Sequence, residues 1–122
     1  GPIAYALAHP ERLPLGLAYP DFASLARLTF EKPDGARFPC LLLALEACRQ
    51  GGTLPAVLNA ANEVAVNAFL QGRIGFTRIA PVIEQTMAGH RLERLPAIEQ
   101  IREADRQAWA SAEGEIRRCA RP

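Results

Sequence analysis

The chain has 122 residues, 49% hydrophobic and 22% charged, which is the balance of one soluble domain with a core of its own. Its 14 basic and 13 acidic residues are interspersed and leave a net charge of +1, which argues against a nucleic-acid binder. No apolar run approaches the ~20 residues of a membrane span and no signal peptide is visible, so a cytoplasmic protein without a membrane partner is expected.

Aromatics are only 7%, so the core must be built from Ala, Leu, Ile and Val, residues that suit close helix packing. The three cysteines Cys40, Cys48 and Cys119 contain no C-x-x-C pair, and His9 and His90 lie far apart. Reduced thiols packed as small hydrophobes are expected, and no zinc site. The chain does not begin with Met, and Ile3–Ala8 reads as the middle of something longer, so a piece of a longer protein is expected.

Residues 1–8 read as a helical end, with His9 at its close. Pro10, Pro14, Pro20, Pro33 and Pro39 then exclude long helices. Asp21 can cap a single turn over Phe22–Leu25. Leu28-Thr29-Phe30 is β-prone, and Lys32-Pro33-Asp34-Gly35 is a turn. Residues 9–36 therefore read as an extended linker. Its spaced Leu13, Leu15, Leu17, Phe22, Leu25, Leu28 and Phe30 demand a partner surface, because a floppy linker is richer in Gly and Ser.

From residue 37 the pattern becomes helical. Cys40–Cys48 forms a helix with Pro39 in its first turn and Gly51-Gly52 as its stop. Thr53 and Pro55 start a second helix that Gly72 ends. Thr77 caps a third, whose Ile79, Val82, Ile83 and Met87 share one face, ending near Gly89. Pro96 opens the last stretch, where Ala108, Trp109, Ala112, Ile116, Cys119 and Ala120 recur at helical spacing and Asp105 can cap a second segment. The fold class is mainly α: a four-helix-bundle-like domain over 37–122, preceded by an extended linker with little β structure.

The second helix is apolar nearly all the way round and is expected to be the buried centre. Asn59, Asn62 and Glu63 interrupt it within about 100° of one another on a helical wheel. The stripe is either a solvated edge, an internal hydrogen-bond network or an interdomain buttress. One Glu supplies neither a carboxylate pair for acid–base work nor enough ligands for a divalent ion.

Elsewhere the inventory is thin. Ser24 and Ser111 have no His–Asp partner pattern, and Gly72-x-x-Gly75 lacks the context of a dinucleotide loop. Trp109 reads as core, and Arg117, Arg118 and Arg121 as cations complementing a helix C-terminus. No catalytic, cofactor-binding or metal-ligating residue is identified.

Leu58-Asn59-Ala60-Ala61-Asn62-Glu63-Val64-Ala65-Val66, followed by Ala68-Phe69-Leu70 and Ile74-x-Phe76-x-x-Ile79, closely resembles the C-terminal domain of the 1-deoxy-D-xylulose 5-phosphate reductoisomerase family. Upstream, Pro2-Ile3-Ala4 with His9-Pro10-x-Arg12 resembles the end of that family's catalytic domain, although Trp often stands where His9 does. Asp21-Phe22-x-x-Leu25-x-x-Leu28-Thr29-Phe30-x-x-Pro33-Asp34 resembles its interdomain linker, and Arg37-Phe38-Pro39-Cys40-Leu41 the start of its helical domain. The resemblance runs in order over residues 2–107.

The resemblance implies an enzyme of the non-mevalonate isoprenoid route, in which 1-deoxy-D-xylulose 5-phosphate is rearranged and reduced to 2-C-methyl-D-erythritol 4-phosphate with NADPH and Mg²⁺ or Mn²⁺. It implies a homodimer, with the nucleotide-binding and catalytic domains as partners in the same chain. The metal, phosphate and nucleotide ligands belong to those domains, so none transfers to a position here and this part is expected to be inactive alone. Asn59, Asn62 and Glu63 are expected to buttress the linker or the central domain. The alternative is a free-standing helical interaction module, with no enzymatic parent.

Overall fold

The computed structural model describes residues 2–25 and 27–119, without the side chain of Cys119. The chain divides into two compact units, Gly1–Lys32 and Pro33–Pro122.

The first unit holds two short helices, α1 (Pro2–Ala8) and α2 (Phe22–Leu25), neither with a buried residue. Beyond α1, Tyr5 meets His9 edge-on at 5.7 Å between ring centroids, and the Arg12 guanidinium lies 4.7 Å over the Tyr5 ring. Asp21 caps α2 as expected: its Oδ1 accepts the Ala23 N–H at 3.0 Å. Between these helices the backbone is irregular, and Leu28-Thr29-Phe30 forms no strand. Without a neighbouring strand, β propensity has nothing to pair with. Leu13, Leu17, Phe22, Leu28 and Phe30 are all exposed, so within this unit these apolar residues find no cover.

The second unit is a bundle of α3 (Pro39–Gln50), α4 (Leu54–Leu70), α5 (Ile79–Ala88) and α6 (Ile98–Cys119). With no strand among the described residues, the mainly helical fold class stands. Its start is fixed by Asp34, whose Oδ1 accepts the Ala36 and Arg37 N–H groups, both at 3.0 Å, while its carbonyl accepts Phe38 N–H. The turn therefore falls at Gly35–Arg37, a few residues later than the expected Lys32–Gly35. Pro39 then enters the first turn of α3, where its missing N–H costs no hydrogen bond. Gly51 ends α3 at φ +67° with its N–H on the Ala47 carbonyl.

α4 is the centre. Val57, Ala60, Ala61, Val64, Ala65 and Ala68 are fully buried, and they face Ala104, Ala108, Ala112 and Ile116 of α6 and Val82 and Ile83 of α5. Alanine on both α4 and α6 lets the two helices approach closely, so small residues create the packing rather than dilute it. Arg73, just past α4, crosses to Glu113 of α6 with bonds of 2.8 and 3.2 Å.

Four expectations fail on inspection of the bundle. Thr77 does not cap α5; it sits inside a 3-10 turn (Phe76–Arg78) that leads directly into the helix, with Arg78 at the cap position. Asp105 caps nothing, because α6 runs unbroken through it; Glu103–Arg106 and Glu115–Arg118 pairs and the Gln107–Glu103 bond support this long polar helix from its own surface. Trp109 keeps 38% exposure because the buried face of α6 is the alanine line beside it. Cys40 and Cys48 are exposed rather than packed, since α3 buries only Ala47. Ala120 and Arg121 lie outside the described residues.

Candidate functional site

The polar stripe of α4 is assembled as its spacing requires. Asn59 and Glu63, one turn apart, both face solvent, and the Asn59 amide donates to Glu63 Oε1 at 3.3 Å. Asn62 is half-buried and, among the described residues, its side-chain amide makes no hydrogen bond. The three residues thus share an edge of the bundle without forming one network.

Asn62 opens onto a groove of about 500 Å³. One wall is the Asp34 turn and the start of α3, including Arg37, Phe38 and Cys40; the other is Val66, Phe76 and Ile79. The Arg37 guanidinium lies 5.4 Å over the Phe38 ring, and Phe76 meets Phe69 edge-on at 5.6 Å. Phe38 and Phe76 are largely exposed. The groove is therefore apolar with a few polar groups at its rim, the character of a packing surface more than of a reaction centre.

A second polar cluster escaped the sequence reading. Thr53 is buried, yet its hydroxyl does not cap α4; it lies 2.7 Å from His90 Nε2 and accepts the Glu93 N–H at 3.2 Å. Burial holds His90 below the ordinary imidazole range, because desolvation disfavours the cation. A separation of 37 residues leaves no local pattern that would have revealed it.

Among the described residues no three His, Cys, Asp or Glu side chains come together as a ligand set. Gly72 and Gly75 do not cradle a phosphate: Gly75 leads into a three-residue 3-10 turn, not out of a strand. The ionised pairs are surface pairs with structural causes. Glu46 is held below the ordinary carboxylate range by its bonds from Arg49 and Gln50, and Glu103 by those from Arg106 and Gln107. No described helix is long and apolar enough to cross a membrane.

Fold and site together define a helical domain rich in exposed apolar surface. The profile of the DXP reductoisomerase C-terminal domain matches residues 1–111, and the chain belongs to that family. It is 55% identical over 111 residues to the 1-deoxy-D-xylulose 5-phosphate reductoisomerase of Trichlorobacter lovleyi, covering 91% of this chain and 28% of that protein. The enzyme of the same name from Chlorobium phaeobacteroides is 50% identical over 118 residues, covering 97% of this chain and 31% of its own.

Among solved structures, the reductoisomerase from Zymomonas mobilis in complex with NADPH superposes with a TM-score of 0.85 at 40% identity, over 94% of this chain and 30% of that one. A DOX-P reductoisomerase in complex with magnesium gives 0.81 at 34% identity, over 98% and 32%. The chain thus spans under a third of the length of the relatives it matches.

Proposed function

We propose that this chain is the C-terminal supporting part of an enzyme that converts 1-deoxy-D-xylulose 5-phosphate to 2-C-methyl-D-erythritol 4-phosphate, using NADPH and Mg²⁺ or Mn²⁺. The observation that carries the reading is a C-terminal-domain match over nearly the whole chain, with no donor set among the described residues. In this reading residues 1–8 close the catalytic domain, 9–36 link the domains and 37–122 form the bundle. The enzyme is a cytoplasmic homodimer that binds neither nucleic acid nor membrane, and this part is inactive alone. A free-standing interaction module fits poorly with relatives that each carry this sequence inside a chain more than three times as long.

When bound, NADPH would supply the hydride and the divalent ion would fix and polarise substrate oxygens, and both would be held outside this chain. What these residues do is hold geometry. Hydride transfer needs a dry cleft with its reacting groups fixed, and a rigid bundle is suited to supporting one. Asn59, Asn62 and Glu63 buttress the linker or the central domain, and the unbonded amide of Asn62 is the group left to bond there.

The test is Asn62→Ala in the complete enzyme. It should lower the melting temperature or the resistance of the linker to proteolysis, leaving the KM for substrate and the metal requirement nearly unchanged. Unchanged melting with a large loss of metal or substrate binding would overturn it.

A further inference from the structure

Every polar group of Thr53 is engaged. Its N–H donates to the Glu93 carbonyl at 3.0 Å, its carbonyl accepts Val57 N–H at 3.2 Å, and its hydroxyl oxygen accepts Glu93 N–H at 3.2 Å. The hydroxyl proton needs an acceptor, because Thr53 is only 1% exposed and an unsatisfied buried hydroxyl is costly. His90 Nε2, at 2.7 Å, is the acceptor in reach. It can accept only with its lone pair free, so the imidazole must be neutral with its proton on Nδ1.

The contact is tight. Gly52, at φ +58°, lies so close that a Cβ there would sit 2.1 Å from the Glu93 carbonyl oxygen. This clasp pins the segment between α5 and α6 to the start of α4.

Protonating His90 turns Nε2 into a donor aimed at an oxygen that already accepts Glu93 N–H, and strands the Thr53 hydroxyl proton. Around the ring, α4 contributes Val57, α5 contributes Thr86 and α6 contributes Gln107, Ala108 and Ser111, none of them charged. Arg91 is the charged side chain in the same cleft. No carboxylate in that lining offers to stabilise the imidazolium. We propose that the Thr53–His90–Glu93 cluster is a proton-sensitive clasp: neutral His90 closes the α5–α6 connection onto α4, and protonation opens it.

The test is NMR of the full chain titrated from about pH 8 to about pH 5. At the high end the His90 ring nitrogens should show the Nδ1–H tautomer. The Glu93 amide proton should move on acidification with the same midpoint as His90, below the ordinary imidazole value. Thr53→Ser should preserve both signatures, whereas Thr53→Val should abolish the tautomer preference and raise the His90 midpoint. If Thr53→Val fails to fold, His90→Gln decides: it keeps an uncharged acceptor and should remove the pH response of the Glu93 amide. An Nε2–H tautomer, or a Glu93 amide that ignores the His90 midpoint, would overturn the proposal.

Discussion

Arg73 and Glu113, forty positions apart, join the C-terminal end of α4 to α6 through a two-pronged guanidinium–carboxylate contact of 2.8 and 3.2 Å. Both side chains are about one-third exposed, so water screens the pair. Arg73 nevertheless holds the Glu113 carboxyl below the ordinary carboxylate range, first through the hydrogen bond and then through its charge, with Arg117 adding to it. A depressed carboxyl binds protons more weakly in the folded state than in the unfolded one. Its stabilisation is therefore present above the ordinary carboxylate pKa and is lost as pH falls through the folded value. Glu113→Gln should lower the denaturation midpoint near neutrality, and its stability curve should converge with that of the parent in acid. Parallel curves across the acid range would contradict this.

The alanine-lined contact between α4 and α6 makes a second, volume-based prediction. Ile116 is 1% exposed and is the largest fully buried side chain, so Ile116→Ala should cost about 2–5 kcal/mol in urea denaturation. Ala112 is 0% exposed, and Ala112→Leu should cost about 1–3 kcal/mol by forcing the helices apart. Ala110→Leu, on the exposed face of the same helix, should be nearly neutral.

Two adjacent glycines separate backbone strain from collision. Gly51 and Gly52 both have positive φ, but a Cβ on Gly51 meets nothing within 4 Å, whereas one on Gly52 strikes Glu93. Gly51→Ala should cost about 1–3 kcal/mol from backbone conformation alone. Gly52→Ala should cost clearly more and should also shift the Glu93 amide resonance. Equal losses would mean that the clasp gives way at little cost.

Much of the bundle is legible in the sequence because its signals are local. Pro39, Gly51-Gly52 and Pro55 bracket α3 and α4 within a residue or two, and the all-round apolar pattern marks α4 as the centre. The misreadings have two physical causes, and the first is that burial is decided by neighbours that a helical wheel does not contain. Trp109 and the α3 cysteines look like core by residue type, yet the packing face goes to alanine. The second is that helix starts are set by the surrounding chain: Thr77 and Asp105 look like caps, but a 3-10 turn leads straight into α5 and α6 runs unbroken through Asp105. The Asn59–Asn62–Glu63 edge follows from spacing, while the Thr53–His90 contact depends on tertiary closure and carries no local trace.

In the proposed function this chain supports a catalytic cleft whose ligands lie elsewhere. The most direct measurement is calorimetric titration of NADPH, with and without Mg²⁺, into the 122-residue chain beside a complete reductoisomerase containing it. The chain alone should give no binding heat, and the complete enzyme should bind saturably. Saturable NADPH binding by the chain alone would contradict it.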